Sequence, residues 1–597
     1  MESAQKPISG MARSRREVLP VLSTLLFAST LLIIWQRKIN SEVPEPYLDE
    51  VFHVRQAQAY WAHRWRQWDP KITTPPGVYL CSYAIGAILF VVRLRPAHPS
   101  ASFFRLGNSI ILFNILQLRL RALAKRIRKG KFLDAPEERN SATMECRERW
   151  ERNLMVLNIC LFPPLFFFSG LYYTDLAALL IVAEAYICDL SRNRGRDTQL
   201  SPDEKANPML RRNIRFLIFG LLALIFRQTN IFWVAVFLGG LQVVETLHGV
   251  TSDCQSTGVV RVVQGSWELH QLYDPPVIEA SFEDYLKTLV SLGVSALAHI
   301  IPIIKALLPY LVFLGAFGLF VLWNGSVVLG HKEFHTAGLH LPQMLYIWPY
   351  FIFFSWPIFL IPFVTTILQY RTTKFLPSVK TAAIFLPLML VTVHLNTIVH
   401  SFTLADNRHY VFYIFRILLR HPMIKYLATP IYFVCGWAVL TTFGATSFRP
   451  SAAYTAAATI PDEPHHKPQT QLGKTIKPTP HNTGIVPTRN STVRVSFVLI
   501  WLIATSLSLI TAPLVEPRYF LIPWVIWRLH VRLPSTPIGV SSDRSANAKI
   551  CDRLLFYLPL ALETTWYIII NVVTGYVFLY KGFEWPQEPG LVQRFMW

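Results

Sequence analysis

The chain has 597 residues, 52% of them hydrophobic and 16% charged, with 57 Lys and Arg against 36 Asp and Glu for a net charge of +21. A soluble domain carries about 25% charged residues, so this composition, with a mean hydropathy of +0.34 and bilayer-length apolar runs throughout, describes an all-α polytopic membrane protein. The basic residues sit mostly between apolar runs, where the positive-inside rule and anionic headgroups account for them, and no motif or hydrated basic face points to nucleic acid.

In chain order, Arg13, Arg15 and Arg16 precede an apolar run at 18–35. This reads as an uncleaved signal anchor with its basic end in the cytosol, which puts 41–76 on the lumenal side. Further spans are predicted near 77–92, 103–118, 153–169, 171–190, 214–234, 285–300, 307–323, 340–361, 381–398, 425–443, 495–512, 519–529 and 555–580. That is roughly a dozen or more crossings. Pro163, Pro164, Pro349, Pro357 and Pro362 lie inside these runs and predict kinks. Parity is not clean: the basic stretch Arg119–Lys131 belongs in the cytosol, yet counting the runs before it leads to the lumen. One run within 77–118 is therefore expected to be re-entrant, interfacial or not a span.

The hydrophilic stretches 119–152 and 191–213 read as cytosolic loops, and the Pro-, Thr- and His-rich stretch 445–493 as a disordered insert. The seven cysteines are scattered, with no C-x-x-C pair, so neither a disulfide framework nor a metal motif is expected. No P-loop or GxGxxG fingerprint is present, which leaves a nucleotide-driven pump without an engine.

Five polar clusters carry the chemical signal. The first follows the anchor, with Asp49, Glu50 and His53 in Glu45–His53. A helix puts Asp49 and His53 on one face, and a partly desolvated carboxylate there is a good proton acceptor. The competing reading is a solvated N-cap of a helix at 50–65. The second, Trp68–Gly77, holds Asp69 and Lys71 in a proline-rich loop that structure alone explains.

In the third, Asp175 follows Tyr172–Thr174 and Arg227 interrupts an apolar run. An unpaired charge at that depth costs about 2.5–3.5 kcal/mol on insertion scales, so Arg227 is expected to face a cavity or a partner such as Asp175. The fourth gathers Asp406, Asn407, Arg408 and His409, and the fifth is Glu516–Phe520 with Arg518. Each alone fits an interfacial anchor; together they suit a lipid phosphate. His331, His335 and His340 lie in 323–346, but without HExxH no metal site is expected.

In this order the segments PYLDEVFHVRQAQAYW, WDPKITTPPGVYL, GLYYTD, FRQTN, LADNRHYVFYIFR, EPRYF and QRFMW, spanning 46 to 597, resemble one family. It is the endoplasmic reticulum α-1,2-glucosyltransferases that add the last glucose to the lipid-linked oligosaccharide for N-glycosylation. The inserts 119–152 and 445–493 fall outside the resemblance. Relatives tend to have Gly-Asp-Lys or Gly-Asp-Arg where this chain has Gly330-His331-Lys332, which moves weight from position 331 to Asp49.

The resemblance implies a GT-C type fold of roughly 12–14 transmembrane helices, multi-pass in the endoplasmic reticulum membrane with its active site facing the lumen. The implied partners are dolichyl phosphate β-D-glucose as donor, the dolichyl-diphosphate-linked oligosaccharide carrying two glucoses as acceptor, and the membrane lipids. A β donor giving an α product means inversion in one displacement.

On that reading Asp49 is the base, with Glu50 and His53 orienting it or the acceptor. Arg408, His409, Arg518 and Arg227 meet the donor phosphate. Asp69, Lys71, Asp175, Asp406, Asn407 and His340 are further substrate-binding candidates, and no metal or other cofactor is required. Two alternatives stand beside it: another dolichyl-phosphate-sugar-dependent transferase of the same membrane, and a transporter or scramblase whose buried Asp and Arg line a path.

Overall fold

With no water in hydrocarbon to satisfy backbone amides, apolar runs fold as helices. A computed structural model describes residues 6–129, 142–194, 202–254, 258–330, 332, 338–368, 377–444, 493–512, 514–533 and 546–597. Among these, strands are confined to the pair Ser252–Asp253 with Gln271–Leu272 and the hairpin Phe583–Trp585 with Glu588–Gln593. The insert expected at 445–493 falls outside the described residues up to 492. Among the described residues, eight helices are long and apolar enough to cross a membrane, or nine if one bent pair counts as a single span. The all-α polytopic class holds.

The lower count has local causes. The run at 519–529 becomes a helix of only 10 residues, Leu521–His530, about 15 Å long against a hydrocarbon core of about 30 Å. It is buried along its length, with Trp524 stacked on Phe162 at 3.7 Å between ring centroids.

Near the N-terminus, α1 (Lys6–Glu42) leads to α2 (Glu50–Trp61), α3 (Gly77–Val91), α4 (Ala101–Ile110) and α5 (Gln117–Lys129). A π-helical turn, Ile111–Leu116, joins the last two. After α3 the chain returns to α2. Arg95 donates to the Trp61 carbonyl at 2.7 Å, Trp61 Nε1 donates to the Pro96 carbonyl at 3.0 Å, and Gln58 donates to the Pro99 carbonyl at 2.9 Å. The run at 77–92 forms a helix of 15 residues that is too short to count among the candidate spans, and leaving it out of the count removes the parity conflict. From Arg105, bonded to Glu50, to Arg126 the helix rises about 32 Å, so the basic stretch lies at the end of the bundle opposite Asp49. Helices, not loops, occupy most of 119–152, since α6 (Ala142–Leu161) follows α5 after the undescribed residues 130–141.

Pro163 and Pro164 open α7 (Pro163–Ser169), bent by 63° from α6. Then α8 (Asp175–Arg194) and α9 (Pro202–Phe226) pack as a hairpin. α8 is buried almost throughout, which lets it carry Asp175, Glu184, Asp189 and Arg192 away from lipid. Buried charges elsewhere are also paired: Arg528 holds Glu563 at 3.0 and 2.8 Å, joined by Asn158 and the Tyr567 hydroxyl. This network ties the short helix Leu521–His530 to the helix Ala546–Tyr580 and to α6.

Candidate active site

The site is built at the bundle end where α1 stops and α2, α4 and α8 start. Residues 43–49 descend from α1, and Leu48 sits at φ 54°, a left-handed conformation that a branched side chain adopts only when its surroundings impose it. Asp49 then occupies the N-cap position of α2 but makes no cap hydrogen bond. The solvated-cap reading is not realised. Its side chain, 48% exposed, turns toward Arg518, whose Nη2 lies 3.4 Å from Oδ2.

Glu50, next in sequence, is fully buried. Arg105 reaches it through Nε and Nη2 at 2.8 and 2.7 Å, and the Tyr172 and Tyr47 amides donate to it at 2.8 and 3.2 Å. Arg105 also donates to the Val43 and Glu45 carbonyls at 2.7 and 3.0 Å. One guanidinium therefore gathers the whole descent into α2, and Glu50 supports Asp49 from behind.

Arg518 comes from the 3-10 turn Pro517–Phe520. It contacts Glu516 at 2.7 Å and lies over the Phe168 and Tyr173 rings. Burial opposes its charge, but Glu516, Asp175 and Asp49 outweigh that and hold its pKa well above the ordinary guanidinium value. Arg227 pairs with Asp175, as the sequence suggested, and covers the Tyr519 ring. His53, one turn beyond Asp49, shares a hydrogen bond of 2.5 Å between Nδ1 and the Tyr79 hydroxyl and meets Tyr173 edge-on. Burial pushes its pKa down to about 4, with Asp49 pulling the other way. His53 is therefore neutral at pH 7.

A second cluster adjoins the first through Tyr47. Asp406 binds Arg408 through Nε and Nη2 at 2.8 and 2.7 Å, Gln593 accepts from Arg408 at 2.9 Å, and the Trp585 ring lies under the guanidinium. Asn407 accepts from Trp585 Nε1 at 2.9 Å, and His409 lies 3.8 Å from Asp406. Asp69 and Lys71 fold back on α2: Gln56 accepts from the Asp69 amide, and the Lys71 ammonium covers the Phe52 ring. Gly330 closes over that loop, where a Cβ would stand 2.0 Å from the Pro70 carbonyl oxygen. His340 is buried beside Tyr346, with its amide on the Ile510 carbonyl.

The structure thus brings together Asp49, Glu50, His53, Asp175, Arg227 and Arg518. Arg408, His409, Asp406 and Asn407 form a neighbouring group. Asp69, Lys71 and His340 stand outside both. Sequence reading missed Arg105, although an Arg inside the apolar run 103–118 obeys the same burial logic that singled out Arg227. It also assigned no role to Tyr79 and Tyr173, although both lie within the segments WDPKITTPPGVYL and GLYYTD. His331 and His335 lie outside the described residues. Among the described residues no group of three His, Cys, Asp or Glu side chains is arranged to hold a metal ion.

The site is an exposed carboxylate facing a buried guanidinium at one end of a helical membrane bundle. The sequence profile of the DIE2/ALG10 family matches residues 43–529, and the chain belongs to that family. A protein of Emericella nidulans is 47% identical over 99% of this chain and 100% of its own length, and one of Aspergillus fumigatus is 46% identical over the full length of both. A human relative is 29% identical, covering 96% of this chain and 97% of its own. All three are named Dol-P-Glc:Glc(2)Man(9)GlcNAc(2)-PP-Dol alpha-1,2-glucosyltransferase. No solved structure matches the chain.

Proposed function

We infer that the chain transfers glucose from dolichyl phosphate glucose to Glc(2)Man(9)GlcNAc(2)-PP-Dol in the endoplasmic reticulum membrane, making the terminal α-1,2 bond. The named relatives span its whole length, and its helical bundle suits two lipid-borne substrates. The observation that carries the site assignment is the contact between Asp49 and Arg518.

Transfer with inversion needs one base and a means of stabilising the leaving phosphate. The acceptor 2-hydroxyl attacks the anomeric carbon, its proton passes to a carboxylate, and the C–O bond to phosphate breaks with the electron pair leaving on dolichyl phosphate. Asp49 is assigned as the base. At 3.4 Å its contact with Arg518 is looser than a charge-assisted bond of about 2.7–2.9 Å. Its side chain is 48% exposed, so its lone pairs remain open to a hydroxyl.

Glu50 is assigned to orientation, because its carboxylate already accepts from Arg105 and two amides. His53, being neutral, positions rather than carries charge. Arg518 and Arg227 are assigned to the phosphate charge that develops as the bond breaks. Arg408 and His409 are assigned to the outer part of the donor, where Asp406 fixes the guanidinium fork. A lumenal active site is supported by the basic residues: Arg119, Arg121, Arg126 and Arg128 cluster on α5 at the end away from Asp49.

The test is a paired assay in proteoliposomes with dolichyl phosphate glucose and the diglucosylated acceptor. Wild type adds one glucose, and Asp49→Asn at equal expression adds it at least about a hundredfold more slowly. Transfer by both at similar rates would remove Asp49 as base, and transfer by neither would remove the reaction. For orientation, a single reporter cysteine placed at exposed Trp65 should react with an impermeant maleimide in sealed microsomes only after permeabilisation. Labelling before that would put the site in the cytosol.

A further inference from the structure

The closing segment Arg594–Trp597 is packed residue by residue against both halves of the site. Tyr47 and Arg594 exchange two hydrogen bonds: the Tyr47 hydroxyl donates to the Arg594 carbonyl at 2.9 Å and accepts from the Arg594 amide at 2.7 Å. The Arg594 guanidinium donates to the Phe578 and Leu579 carbonyls at 2.9 and 2.6 Å and to the Glu42 carbonyl at 3.2 Å. These are last-turn carbonyls of the helices Ala546–Tyr580 and α1, which have no partner within their own helix.

Two residues on, the Met596 amide donates to the Arg408 carbonyl at 2.8 Å and its carbonyl accepts from the Tyr410 amide at 3.1 Å. Met596 is 1% exposed. The Phe595 ring meets Tyr413 and Phe583, and the Trp597 ring meets Tyr410 and Phe354. Tyr47 stands two residues before Asp49, next to the left-handed Leu48. Burial pushes its phenol up to about 12, so the hydroxyl keeps the proton it donates.

We propose that Arg594–Trp597 is a strap that positions the active site, pinning Tyr47 and hence Asp49 on one side and Arg408–Tyr410 on the other in a single frame. The strap rests on the assigned reaction for its catalytic consequence but not for its mechanical one. A left-handed Leu48 is held only while its neighbours are fixed. Tyr47 is fixed through its hydroxyl, and Arg105 fixes Glu50. Releasing the hydroxyl frees Asp49 to rotate away from Arg518, although the hydroxyl itself touches no substrate. Tyr47 and Arg594 are positioning residues on this reading.

The experiment uses full-length Tyr47→Phe, which keeps the ring against Phe578 and removes only the hydroxyl, with Arg594→Lys as a second variant that keeps charge but loses the planar fork. Hydrogen exchange of the amides of residues 47–52 is measured without substrate, alongside kcat and both KM values. The expected result is at least tenfold faster exchange in that segment and at least a tenfold fall in kcat, with each KM within twofold of wild type. Unchanged exchange overturns the strap, whatever the activity. Faster exchange with kcat within twofold of wild type, or a loss confined to KM, overturns its positioning role. A wild type inactive with donor and acceptor would sink the assigned reaction instead, leaving exchange to decide the strap.

Discussion

Arg105 and Glu50 form a fully buried ion pair with two parallel bonds of 2.8 and 2.7 Å, 55 residues apart in sequence, and the open carboxylate of Asp49 stands on it. Removing one partner of such a pair leaves the other as an uncompensated buried charge, at a cost of about 3–5 kcal/mol. Glu50→Gln and Arg105→Met should each lower the thermal unfolding midpoint in detergent. The double variant Glu50→Leu/Arg105→Met should lower it less than the two singles combined. Singles that melt like wild type would show that the pair carries no structural load.

Asp49→Asn makes the opposite prediction. Its side chain is half exposed, makes no cap hydrogen bond and has Arg518 as its one ion-pair partner among the described residues, so the unfolding midpoint should stay near that of wild type. A general base contributes about 10²- to 10⁴-fold to a rate, and kcat should fall by that order. The two adjacent acids are thus separable: one change costs stability and the other turnover. If Asp49→Asn destabilises as much as Glu50→Gln, Asp49 is part of the frame rather than the chemistry.

How far the sequence could be read depended on whether a residue's partner was visible in it. Arg227 interrupts an apolar run, and burial of a charge demands a cavity or a counter-charge, for which Asp175 between two apolar runs is the candidate partner. Asp49, Glu50 and Arg518 stand out in the sequence as polar residues beside apolar runs, but it does not show that Glu50 faces inward and Asp49 outward; that division is made by Arg105, far along the chain. Apolar length alone also misplaced α3 and Leu521–His530. A short apolar helix looks the same in sequence whether lipid or protein surrounds it, and the bonds of Arg95, Trp61 and Gln58 that return the chain to α2 appear only in the tertiary structure. QRFMW was visible as a motif, yet its contacts with Tyr47 and Arg408 come from tertiary packing.

Arg518 sits 2.7 Å from Glu516 and 3.4 Å from Asp49, with its charge held by the surrounding carboxylates. Removing one preorganised donor from a developing oxyanion costs about 10²- to 10³-fold in kcat. Arg518→Gln should show a loss of that order, and Arg518→Lys a smaller one, since it restores the charge but not the fork. Both variants should retain the binding of acceptor alone. Equal losses in Lys and Gln would mean that fork geometry, not charge, is what the site uses, and no loss in either would free Arg518 from the phosphate.

His53 provides a pH-dependent reading of the same pocket. Burial lowers its pKa from 6.5 to about 4, so between those values the unfolded chain binds a proton that the folded chain refuses. Stability therefore rises with pH through that window and is lost as pH falls from about 6.5 to 4, by roughly 3 kcal/mol at most. Asp49 and Asp175 favour the charged ring, while Arg518 and Arg227 oppose it. His53→Gln keeps a polar group toward Tyr79 but cannot titrate. Its unfolding midpoint should fall less than that of wild type between pH 7 and pH 4.5, with every other titrating group common to both proteins. Asp49→Asn removes one of the two groups that favour protonation, and should make the wild-type pH dependence steeper. Identical pH profiles for wild type and His53→Gln would show that the imidazole titrates alike in the folded and unfolded chains.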